Sequence, residues 1–157
     1  MIFREIEFGS DDFRRECELR HAVLRAPLGL SLYNEDLEPE RQQIHFGLFG
    51  DDEELLACVI AAPLSPTKIR IRQMAVGREH QGKGCGRRII QEMENLLAHR
   101  GFIHLTMHAR MTAVGFYTKL GYTRMGPEFR EMGIPHVSME KRLQSSNAGD
   151  RNLVVPG

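Results

Sequence analysis

The sequence predicts an α/β protein of the mixed (α+β) kind, with elements in the order βαβββαβαβ about one mixed sheet. Three observations predict it. The 157 residues are 41% hydrophobic and 27% charged, which suits one domain with a full core, because chains of this size bury roughly two-thirds of the surface they expose when unfolded. Two apolar runs flank the turn Gly50-Asp51-Asp52-Glu53, an antiparallel hairpin signal. A glycine-rich loop then opens a segment whose apolar residues recur at helical spacing.

The elements follow in order. Residues 2 to 8 alternate apolar and charged side chains and read as a first strand. Ser10 and Asp11 supply N-cap chemistry for a helix from Asp12 to about Arg25, which Pro27 and Gly29 stop. The polar stretch 32–43, broken by Pro39, is a loop or a short helix bordering a cleft. His45 to Phe49 and Leu55 to Ala62 form the hairpin, and Ile69 to Val76 a further strand. From Cys85 to His99, Ile89, Ile90, Met93, Leu96 and Leu97 make a helical stripe that Gly101 ends. A strand at Ile103 to His108, a short helix around Ala113 to Leu120 and a last strand near His136 to Lys141 complete the domain, residues 1–143. The remainder, 144–157, reads as a flexible tail.

Composition narrows the function. Lys plus Arg and Asp plus Glu balance at 21 each, so no global field attracts nucleic acid, and a small-molecule partner is expected. Cys17, Cys58 and Cys85 lie far apart and make no CxxC pair, which fits a reducing compartment. The N-terminus lacks the pattern of a signal peptide, and no run approaches the ~20 apolar residues of a membrane span, so a cytoplasmic protein without membrane contact is expected.

The chemistry concentrates in Gln81-Gly82-Lys83-Gly84-Cys85-Gly86-Arg87, which follows a strand and opens the clearest helix. Backbone N–H groups there converge with the positive helix end behind them, and the missing Cβ atoms let an anion approach the backbone. A tight structural turn is the bland alternative. Two nucleotide motifs fall short: the P-loop needs Ser or Thr where Gly84 stands, and the dinucleotide fingerprint needs another glycine spacing. Arg78, Lys83, Arg87 and Arg88 surround the loop, as a phosphate partner would require.

Gln-x-x-Gly-x-Gly after a Met-x-Val strand resembles the acetyl-CoA pyrophosphate loop of the GCN5-related N-acetyltransferases (GNAT), with Gln81, Gly84 and Gly86 on the motif. The segment from Arg110 to Tyr122, with Phe116 and Tyr117 inside it and a Leu-Gly-aromatic end, is similar to the family's second motif. The likeness covers residues 45 to 142. Met132-Gly-Ile-Pro-His136-Val-Ser further resembles the ElaA-like and YjcF-like subset.

The resemblance implies a GNAT-like single domain with a mostly antiparallel sheet, and an acyltransferase that moves an acetyl group from acetyl-CoA to a primary amine by direct attack in a ternary complex. It implies that pantetheine lies along Met74, Ala75 and Val76, with a backbone N–H of Met74 or Ala75 polarising the thioester. Cofactor contacts are then expected at Gln81, Gly82, Lys83, Gly84, Cys85, Gly86, Arg87, Arg110 and Phe116, with no metal. Tyr117 stands where relatives keep a tyrosine facing the CoA sulfur and is the candidate general acid for the departing thiolate, although a core aromatic is the alternative. Many relatives carry a Glu on the fourth strand as base, where this chain has Arg70, Arg72 and Gln73. His108 is the candidate base and His136 its rival. His104 shares a strand face with His108, yet lacks the further ligands of a metal site. Glu35, Asp36 and Glu38 could attract a cationic amine or simply be solvated. A homodimer, in which Leu153 to Pro156 packs on a partner, is compatible with the family. A CoA-binding regulator without catalysis and a P-loop nucleotide enzyme are the rival functions.

Overall fold

Seven strands and three helices carry the architecture in the computed structural model, which describes residues 1–144. The strands are β1 (Ile2–Ile6), β2 (Ile44–Phe49), β3 (Leu55–Pro63), β4 (Lys68–Val76), β5 (His104–Arg110), β6 (Thr123–Glu131) and β7 (Ile134–Arg142). The helices are α1 (Asp11–Arg20), α2 (Cys85–His99) and α3 (Val114–Lys119). All strands belong to one sheet in the order β1-β2-β3-β4-β5-β7-β6. The β1–β2, β2–β3, β5–β7 and β6–β7 pairs are antiparallel, and β4–β5 is parallel. The mixed, mostly antiparallel sheet with helices is thus the expected one.

The chain divides into two compact units. The first comprises Met1–Ala62 and Arg72–Met93. Its α1 begins where the Ser10 hydroxyl accepts the Phe13 N–H at 3.1 Å, with Asp11 and Asp12 in the first turn where the helix dipole favours negative charge. The expected helix to Arg25 is realised only to Arg20. The last five residues, His21–Arg25, widen into a π-turn closed by the Ala26 N–H on the His21 carbonyl. The stretch 32–43 is two 3₁₀ turns, Leu32–Asn34 and Glu38–Gln42. β3 is buried from Leu56 to Ala62 without alternation, as a strand with both faces covered must be. Phe46, Leu48, Val59, Ile60, Ile89, Ile90 and Met93 fill this unit's interior.

The second unit comprises Pro63–Ile71 and the chain from Glu94 onward. Leu105, Met107 and Ala109 of β5 are buried, and Met107 and Ala109 stand opposite Met139 and Val137 of β7. His104, Thr106 and His108 take the other face by the period of two. Tyr117 and Tyr122 pack edge to face at 5.7 Å. The Tyr122 hydroxyl donates to Glu94 Oε2 at 2.8 Å, and Lys141 Nζ donates to Glu94 Oε1 at 2.9 Å and to the Leu120 carbonyl at 2.7 Å, satisfying a carbonyl just past α3.

One strand went unread. β6 follows the second tyrosine and makes the order βαβββαβαββ, with a final antiparallel pair where the sequence suggests a single last strand. Its residues Thr123-Arg-Met-Gly-Pro-Glu-Phe-Arg-Glu131 are almost all exposed, so no apolar alternation marks them. Pro127 is tolerated because β6 is an edge strand. The expected tail, 144–157, lies outside the described residues but for Gln144, and so does the expected partner-packing segment Leu153 to Pro156.

Candidate active site

In the first unit the loop after β4 runs through a 3₁₀ turn, Arg78–His80, into α2. Gly82 and Gly84 take φ of 76° and 85°, the left-handed region, and a Cβ built on either would meet nothing within 4 Å. Side chains there would project into the open space that the loop frames, and would strain the backbone as well. Gln81 folds back, its Nε2 donating to the Val76 carbonyl at 3.0 Å, which ties the loop to the end of β4. Arg78 ties it to the π-turn through the Ala22 carbonyl at 3.3 Å. Lys83 and Arg87 are exposed beside the glycines, and the first turn of α2 carries no acidic residue. This fits a phosphate: N–H groups at a helix start, cationic side chains, and a first helical turn without an acidic residue. Cys85 is buried, with Sγ 3.9 Å from Met1 Sδ, so its part is packing and a backbone N–H, not an exposed thiol.

Before that loop, β4 carries its own irregularity. Gln73 has φ 54°, left-handed for a residue with a Cβ. The residue after it, Met74, is half-buried, while Ala75 is buried. Gln73 Oε1 accepts from Arg20 Nε and from Arg25 Nη2, each at 3.3 Å. Behind it lies a sealed ionic cluster. Arg20, wholly buried, binds Glu16 at 2.8 Å and Glu40 at 2.8 and 2.7 Å, and at the rim of the cluster the buried Arg25 binds the exposed Glu35 at 2.6 Å. His45 Nδ1 lies 2.9 Å from Glu16 Oε1 and its Nε2 2.8 Å from the Glu40 carbonyl. Both ring nitrogens therefore face acceptors. Burial alone would push His45 down, but the Glu16 hydrogen bond and charge outweigh it and its pKa is raised. Glu16, Glu40 and His45 are close enough to share a cation, and the guanidinium of Arg20 supplies one.

In the second unit Tyr117 is buried, its ring edge-on to Phe116 at 5.0 Å and to Tyr122. Burial alone pushes its phenol well above the ordinary range, so the hydroxyl stays protonated. His108, on β5, is about one-third exposed. Its Nδ1 lies 2.9 Å from Arg70 Nη2 and 2.9 Å from Glu131 Oε1. One nitrogen cannot accept from the guanidinium and donate to the carboxylate at once, so the two contacts belong to different tautomers of the ring. His136 Nε2 is 3.7 Å from Glu131 Oε2, and Phe129 packs against both imidazoles at 5.0 and 6.0 Å. Burial raises the Glu131 pKa, but the His108 hydrogen bond and the charges of His108, His136 and Arg70 prevail and hold it below the usual carboxylate value.

The structure thus gathers His108 and His136, read as rivals, around one carboxylate. It joins Gln81 to Val76. It places Arg110 at the end of β5 opposite His136, and Phe116 against Tyr117. His104 pairs with Glu140 at 2.8 Å. Two of the three acidic loop residues are engaged by arginine, Glu35 by Arg25 and Glu38 by Arg41 at 2.6 Å, and Asp36 caps the Glu38 N–H. Glu131 was missed because β6 was missed. The sealed cluster was missed because its members are 29 residues apart at most in short-range terms that look solvated; the signal was Glu16 and Arg20 sharing the face of Cys17.

The chain matches the family model described as acetyltransferase (GNAT) domain over residues 31–143. It is 28% identical over 142 residues to a Bacillus subtilis (strain 168) protein that bears a provisional acetyltransferase name, covering 86% of this chain and 92% of that one. Its fold is similar to that of an aminoglycoside 6'-N-acetyltransferase solved with coenzyme A, with a TM-score of 0.74 at 19% identity over 90% of this chain and 97% of the other. It is likewise similar to Escherichia coli ElaA, with a TM-score of 0.74 at 16% identity over 90% of this chain and all of that one.

Proposed function

The chain belongs to the GNAT acetyltransferase family, and from that membership we propose that it transfers an acetyl group from acetyl-CoA to a primary amine by direct attack in a ternary complex. The observation that carries the proposal is the loop from Gln81 to Arg87, two left-handed glycines opening a fifteen-residue helix with Lys83 and Arg87 beside them. It takes the pyrophosphate. The backbone from Met74 to Val76 takes the pantetheine arm. Immediately after the left-handed Gln73, the Met74 N–H is the donor that polarises the thioester carbonyl and stabilises the oxyanion.

The attacking ammonium first gives a proton to His108, which Glu131 holds by hydrogen bonding. His136 flanks the same carboxylate and shares the imidazolium's field. The amine lone pair then forms the C–N bond, and collapse of the oxyanion breaks the C–S bond. Tyr117 meets the departing sulfur. Its raised pKa exceeds that of a thiol, so it stabilises the thiolate by a hydrogen bond without surrendering its proton. Phe116 and Arg110, on the same motif, border the CoA moiety.

The test incubates the protein with acetyl-CoA and a panel of primary amines, following thiol release and acetylated product together. Stoichiometric thiol and acetyl-amine are expected. Thermal stabilisation by CoA and acetyl-CoA without turnover on any amine would instead make the chain a CoA-binding regulator, and stabilisation by Mg-ATP alone would overturn the loop's assignment.

A further inference from the structure

Gln73 is the one β4 residue with positive φ, and it immediately precedes the N–H assigned to the oxyanion. A side chain at such a φ is unfavourable unless the surroundings fix it. Here its amide oxygen takes one hydrogen bond from Arg20 and one from Arg25. In an α-helix, residues five apart point about 140° away from each other. The π-turn over His21–Arg25, with its i→i+5 bond, is what brings Arg25 round to the acceptor that Arg20 already holds. Each arginine is itself fixed from behind, Arg20 by Glu16 and Glu40, Arg25 by Glu35. Beneath the same residue the Cys58 thiol donates to the Gln73 carbonyl at 3.8 Å.

We infer that Arg25, delivered by the π-turn, is a positioning residue that clamps Gln73 in its left-handed conformation and thereby aims the Met74 N–H. The role in turnover rests on the acetyl-transfer reading; the clamp itself does not. Neither arginine touches substrate. The clamp sets the rate of the chemical step and leaves affinity for acetyl-CoA to the glycine loop.

Three single substitutions, one double and two readouts test it. Arg25→Met and Gln73→Ala should lower kcat at least tenfold while the acetyl-CoA dissociation constant, measured by calorimetry, stays within about twofold. Gln73→Gly should recover most of the loss, because glycine adopts positive φ unaided, and Arg25→Met added to Gln73→Gly should cost kcat no further. The second readout needs no activity: amide hydrogen exchange at Ala75 should quicken in Arg25→Met and Gln73→Ala, while that of Arg88, in the α2 ladder, should not. Unchanged Ala75 exchange, or equal kcat for Gln73→Ala and Gln73→Gly, overturns the inference, and Gln73→Met, which keeps the bulk but lacks the acceptor of the two arginine bonds, replaces Gln73→Ala if the latter fails to fold. Quickened Ala75 exchange in a chain that acetylates no amine keeps the clamp and rejects the acetyl-transfer reading.

Discussion

The cluster around Arg20 and the cluster around His108 contain the same chemical groups, arginine, glutamate and histidine, and differ in access to water. Around Arg20 the inner charges, Glu16, Arg20, Glu40 and His45, are buried and matched, so these members are held in single roles by the cost of leaving any one unpaired. Around His108 the ring and Glu131 are each more than a third exposed, so protons can come and go. The difference teaches a division of labour: a sealed ionic cluster fixes backbone geometry, and an open one can do acid–base work. Neither property follows from residue type.

The largest expected effect breaks the sealed side. Arg20→Ala leaves Glu16 and Glu40 buried without their cation, and stability measured in urea should fall by about 3–5 kcal/mol. A loss below about 1 kcal/mol would mean water reaches that cluster and the contrast is false. Next comes Tyr117→Phe, which should lower kcat roughly a hundredfold with little change in acetyl-CoA affinity; an unchanged kcat would reduce Tyr117 to a core aromatic. Tyr122→Phe removes only a hydrogen bond to Glu94, which keeps Lys141, so it should cost about 1–2 kcal/mol of stability and leave kcat alone.

The smallest effect is a slope. The folded state raises the His45 pKa above its ordinary 6.5, so the stability it contributes is fully present below about pH 6.5 and is lost as pH rises through the folded value. Urea midpoints should therefore decline on the alkaline side of that window in the wild type and decline less in His45→Gln. A midpoint that climbs across the window would show that His45 is neutral when folded.

Periodicity and punctuation made much of the fold legible. α2 runs from Cys85 to His99 as its stripe and the flanking glycines predict, and the hairpin of β2 and β3 surrounds the acidic turn. β6 was illegible because an exposed edge strand has no apolar face to announce it, and Gly126-Pro127 reads as a turn. The π-turn was illegible for another reason: His21-Ala-Val-Leu-Arg25 continues an ordinary helical pattern, and only the demand of Gln73 for two donors distinguishes it. Of the site, the glycine loop was readable because phosphate binding needs absent side chains at fixed spacing. The carboxylate beside His108 was not, since it comes from a strand 23 residues away.

The most direct test is the pH dependence of kcat/KM for the wild type, His108→Gln and Glu131→Gln with one amine that the panel identifies. The account predicts an acid limb in the wild type, a flat and slower profile in His108→Gln, and a lower kcat/KM in Glu131→Gln, where the ring has lost the carboxylate that holds it. An acid limb that survives unchanged in His108→Gln would place proton removal elsewhere and contradict the assignment of acid–base work to the open cluster.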